Sequence, residues 1–70
     1  MRFSSPRARL RYVEHVLTTE PFRYTLTDLA ALVERSRWTV RRDLLLLETE
    51  CPRLAVVPDG EGRLGLILRQ

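Results

Sequence analysis

The sequence predicts one small α+β domain, three helices followed by a C-terminal β-hairpin, on the strength of three observations. Apolar residues recur at helical spacing in three separate stretches before Cys51. After Pro52 the spacing becomes extended, with Leu54 to Val57 and Leu64 to Leu68 as candidate strands. Between these, Asp59-Gly60-Glu61-Gly62 carries turn chemistry, so the hairpin covers about 54–68. The chain has 70 residues, of which 44 % are apolar and 30 % charged, which describes a soluble globular domain with little room for an enzyme's cleft beside its core.

A basic arm, Met1 to Ser5, precedes the first helix, about 6–19. Ser5 before Pro6 is a start signal, because proline at the first helical position lacks an N–H that would be unpaired there anyway. Leu10, Val13, Val16 and Leu17 form its apolar stripe. Arg7, Arg9 and Arg11 flank that stripe, and three readings stay open for them: a solvated face, an ion pair with an acid such as Asp43, or a phosphate contact. His15 lies off the stripe with no catalytic partner near it in sequence. Glu20-Pro21 ends the helix, and Phe22 to Leu26, alternating apolar and polar, reads as one short strand. Thr27 is then expected to cap a second helix, about 28–34, with Leu29, Leu32 and Val33 facing inward and Asp28 at the positive end of the helix dipole.

The third helix, about 37–50, is the most informative stretch. Ser36 is its expected N-cap, and Val40, Leu44 and Leu47 form an apolar stripe while Trp38, Arg41 and Arg42 point to the opposite side. Arg35 to Arg42 contains four arginines and no acid, a charge density well above that implied by the net charge of +3 for the whole chain. Such a helix suits a phosphate-lined groove. All twelve basic residues are arginine, which agrees with planar contacts to phosphate and guanine and equally with compositional bias, so only their placement informs. Cys51 is alone and His15 is the sole histidine, which leaves no disulfide and no expected metal or cofactor. Cys51 reads as a small structural residue near a helix end. With four arginines in Met1 to Arg11 and no apolar block after them, the start does not read as a signal peptide, and no apolar run approaches a bilayer's thickness. The expected location is the cytoplasm, with no membrane partner.

Two short helices joined by a tight turn, the second one basic, make the helix-turn-helix pattern, and the appended hairpin gives the order of a winged helix. The hairpin would pair with the short strand and offer its tip as the wing. Arg63, beside the glycines, is then either a contact to phosphate or minor groove or a solvated hairpin arginine.

Leu29-Ala30, Ser36, Thr39-Val40-Arg41-Arg42-Asp43-Leu44 and Leu47-Glu48 resemble the helix-turn-helix signature of DeoR-type transcriptional repressors. Glu34 and Arg35 stand where that family usually has a glycine and a buried valine in the turn. Over nearly its whole length the chain also resembles the N-terminal winged-helix domain of Gram-positive purine operon repressors. That resemblance runs through Met1-Arg2-Phe3, Arg9-Leu10, Leu17, Thr18, Pro21, Leu26-Thr27, Glu34, Val40, Asp43-Leu44 and Val57-Pro58 to the glycine-bearing hairpin. In those repressors a phosphoribosyltransferase-like effector domain follows. The resemblance implies a DNA-binding module for purine genes without that domain, and hence neither a small-molecule effector nor transferase activity.

The expected function is sequence-specific binding of double-stranded DNA. Arg37, Trp38, Arg41 and Arg42 would face the major groove, Ser36 or Thr39 would bond phosphate, and Arg63 would lie on the wing. The alternative is a protein-docking or dimerisation module in which Trp38, Leu45 and Leu46 form an apolar patch, and a homodimer is compatible with either. Cover of Leu45 and Leu46 by the hairpin strands or the first helix is expected, and this together with the charge of the third helix sets the alternative second. An enzyme is not expected, because the sequence shows no nucleophile with a base, metal set or phosphate-cradling glycine loop.

Overall fold

The first helix, α1 (Pro6–Thr19), starts where the Ser5 hydroxyl accepts the Ala8 N–H at 3.1 Å, with Pro6 filling a position that has no helical partner for its nitrogen. A computed structural model describes residues 2–69, so Met1 of the expected basic arm lies outside the described residues. The other elements are β1 (Tyr24–Thr25), α2 (Leu26–Val33), α3 (Arg37–Glu50), β2 (Leu54–Pro58) and β3 (Arg63–Leu68). The architecture is α+β, three helices and a three-stranded antiparallel sheet in the order β1-β3-β2.

The start of α2 corrects the sequence reading. Thr25, not Thr27, is the N-cap, and the helix spans Leu26–Val33 rather than 28–34. The Thr25 hydroxyl accepts the Asp28 N–H at 3.2 Å, and the Asp28 carboxylate accepts the Thr25 N–H at 3.1 Å. This reciprocal capping box satisfies two otherwise unpaired donors, whereas a Thr27 cap would satisfy one. At the other end Glu34 takes left-handed backbone angles (φ 54), with its N–H donated to Ala31 and the Arg35 N–H to Ala30, the Schellman arrangement. Glycine would hold that position without steric cost. Arg35 is exposed, so the turn contributes no side chain to the core there.

The core is built from one stripe of each helix: Leu10, Val13, Val16 and Leu17 on α1, Leu29, Ala30 and Val33 on α2, and Val40, Leu44 and Leu47 on α3. Val56, Leu64 and Leu66 of the sheet pack against it. On the sheet's other face, the Phe22 ring lies so close over Gly65 that a Cβ there would stand 2.6 Å from it. Only glycine admits that approach, and it keeps the segment before β1 flat against β3.

Two polar devices hold α3 in place. Arg9 donates to Asp43 through Nε at 2.6 Å and Nη2 at 3.1 Å, a two-pronged bond between side chains only 11 % and 8 % exposed. Of the readings open for Arg9, the ion pair is the one adopted. Glu48 accepts the Val56 N–H at 3.0 Å, while the Leu54 N–H goes to Cys51 and Pro58 has none to give. The outer edge of β2 is thereby left without a spare donor, which discourages another strand from adding to it.

A third bridge, from Arg7 to Glu50 through two nitrogens at 2.8 Å each, lies at the surface. Its hydrogen bonds hold the Glu50 carboxyl below the usual carboxylate range. A lowered folded-state value means stability that is present above the ordinary carboxylate pKa and lost as pH falls through the lowered one. Exposure keeps the contribution modest. Glu50→Gln should therefore flatten the acid limb of the melting temperature against pH, and superimposable limbs for variant and wild type would remove the argument.

Candidate nucleic-acid interface

α3 begins as the sequence suggests, with the Ser36 hydroxyl accepting the Thr39 N–H at 3.1 Å. Ser36 Oγ and Thr39 Oγ1 also lie 3.1 Å apart, so both hydroxyls are engaged in the cap. With Val40, Asp43, Leu44 and Leu47 buried, Arg37, Trp38, Arg41 and Arg42 are left on the outside. Trp38 is 65 % exposed, and the Arg42 guanidinium lies over its ring at 4.8 Å from the centroid. That stacking is an ordinary cation–π geometry and gives a flexible arginine a preferred direction.

The candidate residues divide between two depressions. Ser36, Arg37, Trp38 and Arg41 line one at the start of α3. Thr39 and Arg42 line a second, between α3 and the first turn of α1, together with Pro6, Leu45, Leu46 and Thr49. Arg63 stands apart on β3, where its guanidinium is paired with Glu61 of the preceding turn. The turn itself is tied by Asp59, whose carboxylate accepts the Glu61 and Arg63 N–H groups at 2.9 Å each. Gly62 supplies its left-handed position (φ 80).

Charge pairing sorts the arginines. Among the described residues Arg7, Arg9, Arg23, Arg63 and Arg69 have carboxylate partners, whereas all four arginines of the 35–42 stretch have none. Of the two acids that flank that stretch, Asp43 is turned inward to Arg9, and Glu34 lies before α3, at the end of α2. The outer surface of the first half of α3 is therefore uniformly cationic, with one exposed indole in its midst. No family model, curated protein or solved structure matches the chain. The site thus rests on its own geometry.

Two exposures depart from expectation. Leu45 is 59 % and Leu46 45 % exposed, so neither the hairpin nor α1 covers them. Their helical phase, roughly 140° and 240° from Val40, points them away from the core, toward the open depression they share with Pro6 at the start of α1. The sequence reading also passed over Arg2 and Arg35, which line a polar cleft beside the start of α1 with Ser4 and Ser5. Membership of the arginine run from 35 to 42 was the signal available for Arg35; for Arg2, only tertiary placement reveals the cleft. No helix among the described residues is long and apolar enough to cross a membrane.

Proposed function

We propose that this domain is a winged helix that binds double-stranded DNA sequence-specifically, as the DNA-binding module of a bacterial transcriptional repressor working in the cytoplasm, with purine genes as candidate targets. The supporting observation is the outer face of α3: Arg37, Arg41 and Arg42 without carboxylate partners, presented on a helix whose opposite face is locked into the core. A helix of this kind fits the major groove, where arginine bonds guanine edges and flanking phosphates. The β2–β3 hairpin would be the wing. Neither catalysis nor a small-molecule effector belongs to this reading.

Binding should be dominated by phosphate contacts and should weaken steeply with salt. Each neutralised phosphate contributes about −0.9 to the slope of log K against log salt, so several engaged arginines give about −3 or steeper. A slope near zero, or no binding to any duplex at low salt, would dispose of the DNA reading.

Arg41 and Arg42 should differ on mutation. They leave α3 about 100° apart, and only Arg42 is aimed by Trp38. Alanine at the base-reading position should cost ~1–3 kcal/mol on the specific site and relax preference at one base pair. Alanine at the phosphate-contacting one should weaken all duplexes alike and make the salt slope shallower by about one unit. Unchanged affinity for both variants on specific and scrambled duplexes would mean that this helix is not the reader.

A second reading has an observation in its favour. Trp38, Leu45 and Leu46 are large apolar side chains exposed along one helix, which suits docking to a protein or a second copy. Leu45→Ser, which removes the apolar side chain without placing a charge beside Arg41 and Arg42, separates the two: it should weaken such docking, whereas a DNA contact centred on the first half of α3 should survive it.

A further inference from the structure

On the proposed DNA-binding reading, the hairpin tip is the expected second contact with the duplex, yet its chemistry is unsuited to that role. Asp59 and Glu61 both lie in the turn, and Glu61 occupies the Arg63 guanidinium, so the tip carries two carboxylates against one arginine already paired. It presents net negative charge to any phosphate.

A cleft formed by the N-terminal arm and the α2–α3 turn has the opposite character. It measures about 490 Å³ and is lined by Arg2, Ser4, Ser5, Arg9, Glu34 and Arg35, among others. Arg9 is neutralised by Asp43, which leaves Arg2 and Arg35 against one glutamate. Both arginines are exposed, and neither has a carboxylate partner among the described residues. The two serines add hydroxyl groups that can donate to a phosphate oxygen. Arg35 is the residue immediately before Ser36, the cap of α3. A backbone strand bordering the groove that receives the start of α3 would therefore run past this cleft.

We infer that the arm cleft, through Arg2 and Arg35, holds a phosphodiester of the DNA backbone and serves as the second anchor of the domain, in place of the hairpin tip. The ligand is an anionic tetrahedral diester, recognised by two guanidinium groups without regard to base sequence. Rotation about the long axis of α3 is then limited by the arm on one side, and the hairpin stays clear of the duplex.

The test compares the salt dependence of duplex binding for wild type, Arg2→Ala, Arg35→Ala and Arg63→Ala, on specific and scrambled duplexes. All three side chains lie at the surface, and melting curves matching wild type show each variant folded. Arg2→Ala and Arg35→Ala should each weaken binding to every duplex and reduce the slope by about one unit, while Arg63→Ala changes neither. A shallower slope for Arg63→Ala with unchanged Arg2 and Arg35 variants would restore the hairpin as anchor and overturn the inference. Wild-type slopes in all three variants would overturn it too, leaving α3 as the sole contact. If the wild-type domain binds no duplex at low salt, the DNA reading itself fails, and the inference with it.

Discussion

Asp43→Ala should cost the domain ~3–5 kcal/mol, the price of leaving a buried charge without its partner. Asp43 and Arg9 are each about nine-tenths covered and meet through two hydrogen bonds, so loss of the carboxylate leaves a largely covered guanidinium without its partner. A chain of this length has roughly 4–10 kcal/mol of stability in all. The variant should therefore be largely unfolded, or close to it, near body temperature, as urea titration would show. Replacing both partners by apolar residues of similar size, Arg9→Met with Asp43→Leu, should recover most of the loss, because the penalty comes from the orphaned charge more than from the missing attraction. A change within about 0.5 kcal/mol for Asp43→Ala, the range of ordinary surface substitutions, would show that the pair does not restrain α3. Since Asp43 sits between Arg42 and Leu44, the pair also fixes which way the arginine-bearing face turns.

Leu44→Ala should cost ~2–5 kcal/mol by leaving a cavity between α3 and the rest of the core. Leu45→Ala, one residue along, should cost less than about 0.5 kcal/mol. The contrast follows from exposure: 7 % for Leu44 and 59 % for Leu45. Melting both variants checks the rotational setting of α3 directly. Were Leu45→Ala the damaging one, the helix would be turned by about 100° and the outward positions of Trp38, Arg41 and Arg42 would be wrong with it.

Much of the candidate interface was legible because a helix translates sequence spacing into direction without help from the rest of the fold. Val40, Leu44 and Leu47 define the inward face, and Trp38, Arg41 and Arg42 follow on the outside by phase alone. Arg63 was harder to judge. Whether it is available depends on the hairpin turn bringing Glu61 to its guanidinium, a contact that two residues of separation allow but do not require.

By itself the sequence determined the three apolar stripes, the caps at Ser5 and Ser36 and the change to extended structure after Pro52, because each depends on residues within a turn or two of one another. At α2 even local signals competed: Thr25 and Thr27 are both capping residues, and the match of Thr25 with Asp28, together with the pairing of β1 to β3, favours the earlier start. Tertiary structure alone decided that Arg7 and Arg9 are neutralised. The partners of Arg7 and Arg9 lie 43 and 34 residues away, and only the packing of α1 across α3 brings them together. It also decided that Leu45 and Leu46 remain in water, because exposure depends on where neighbouring elements stop as well as on the direction a side chain leaves its helix.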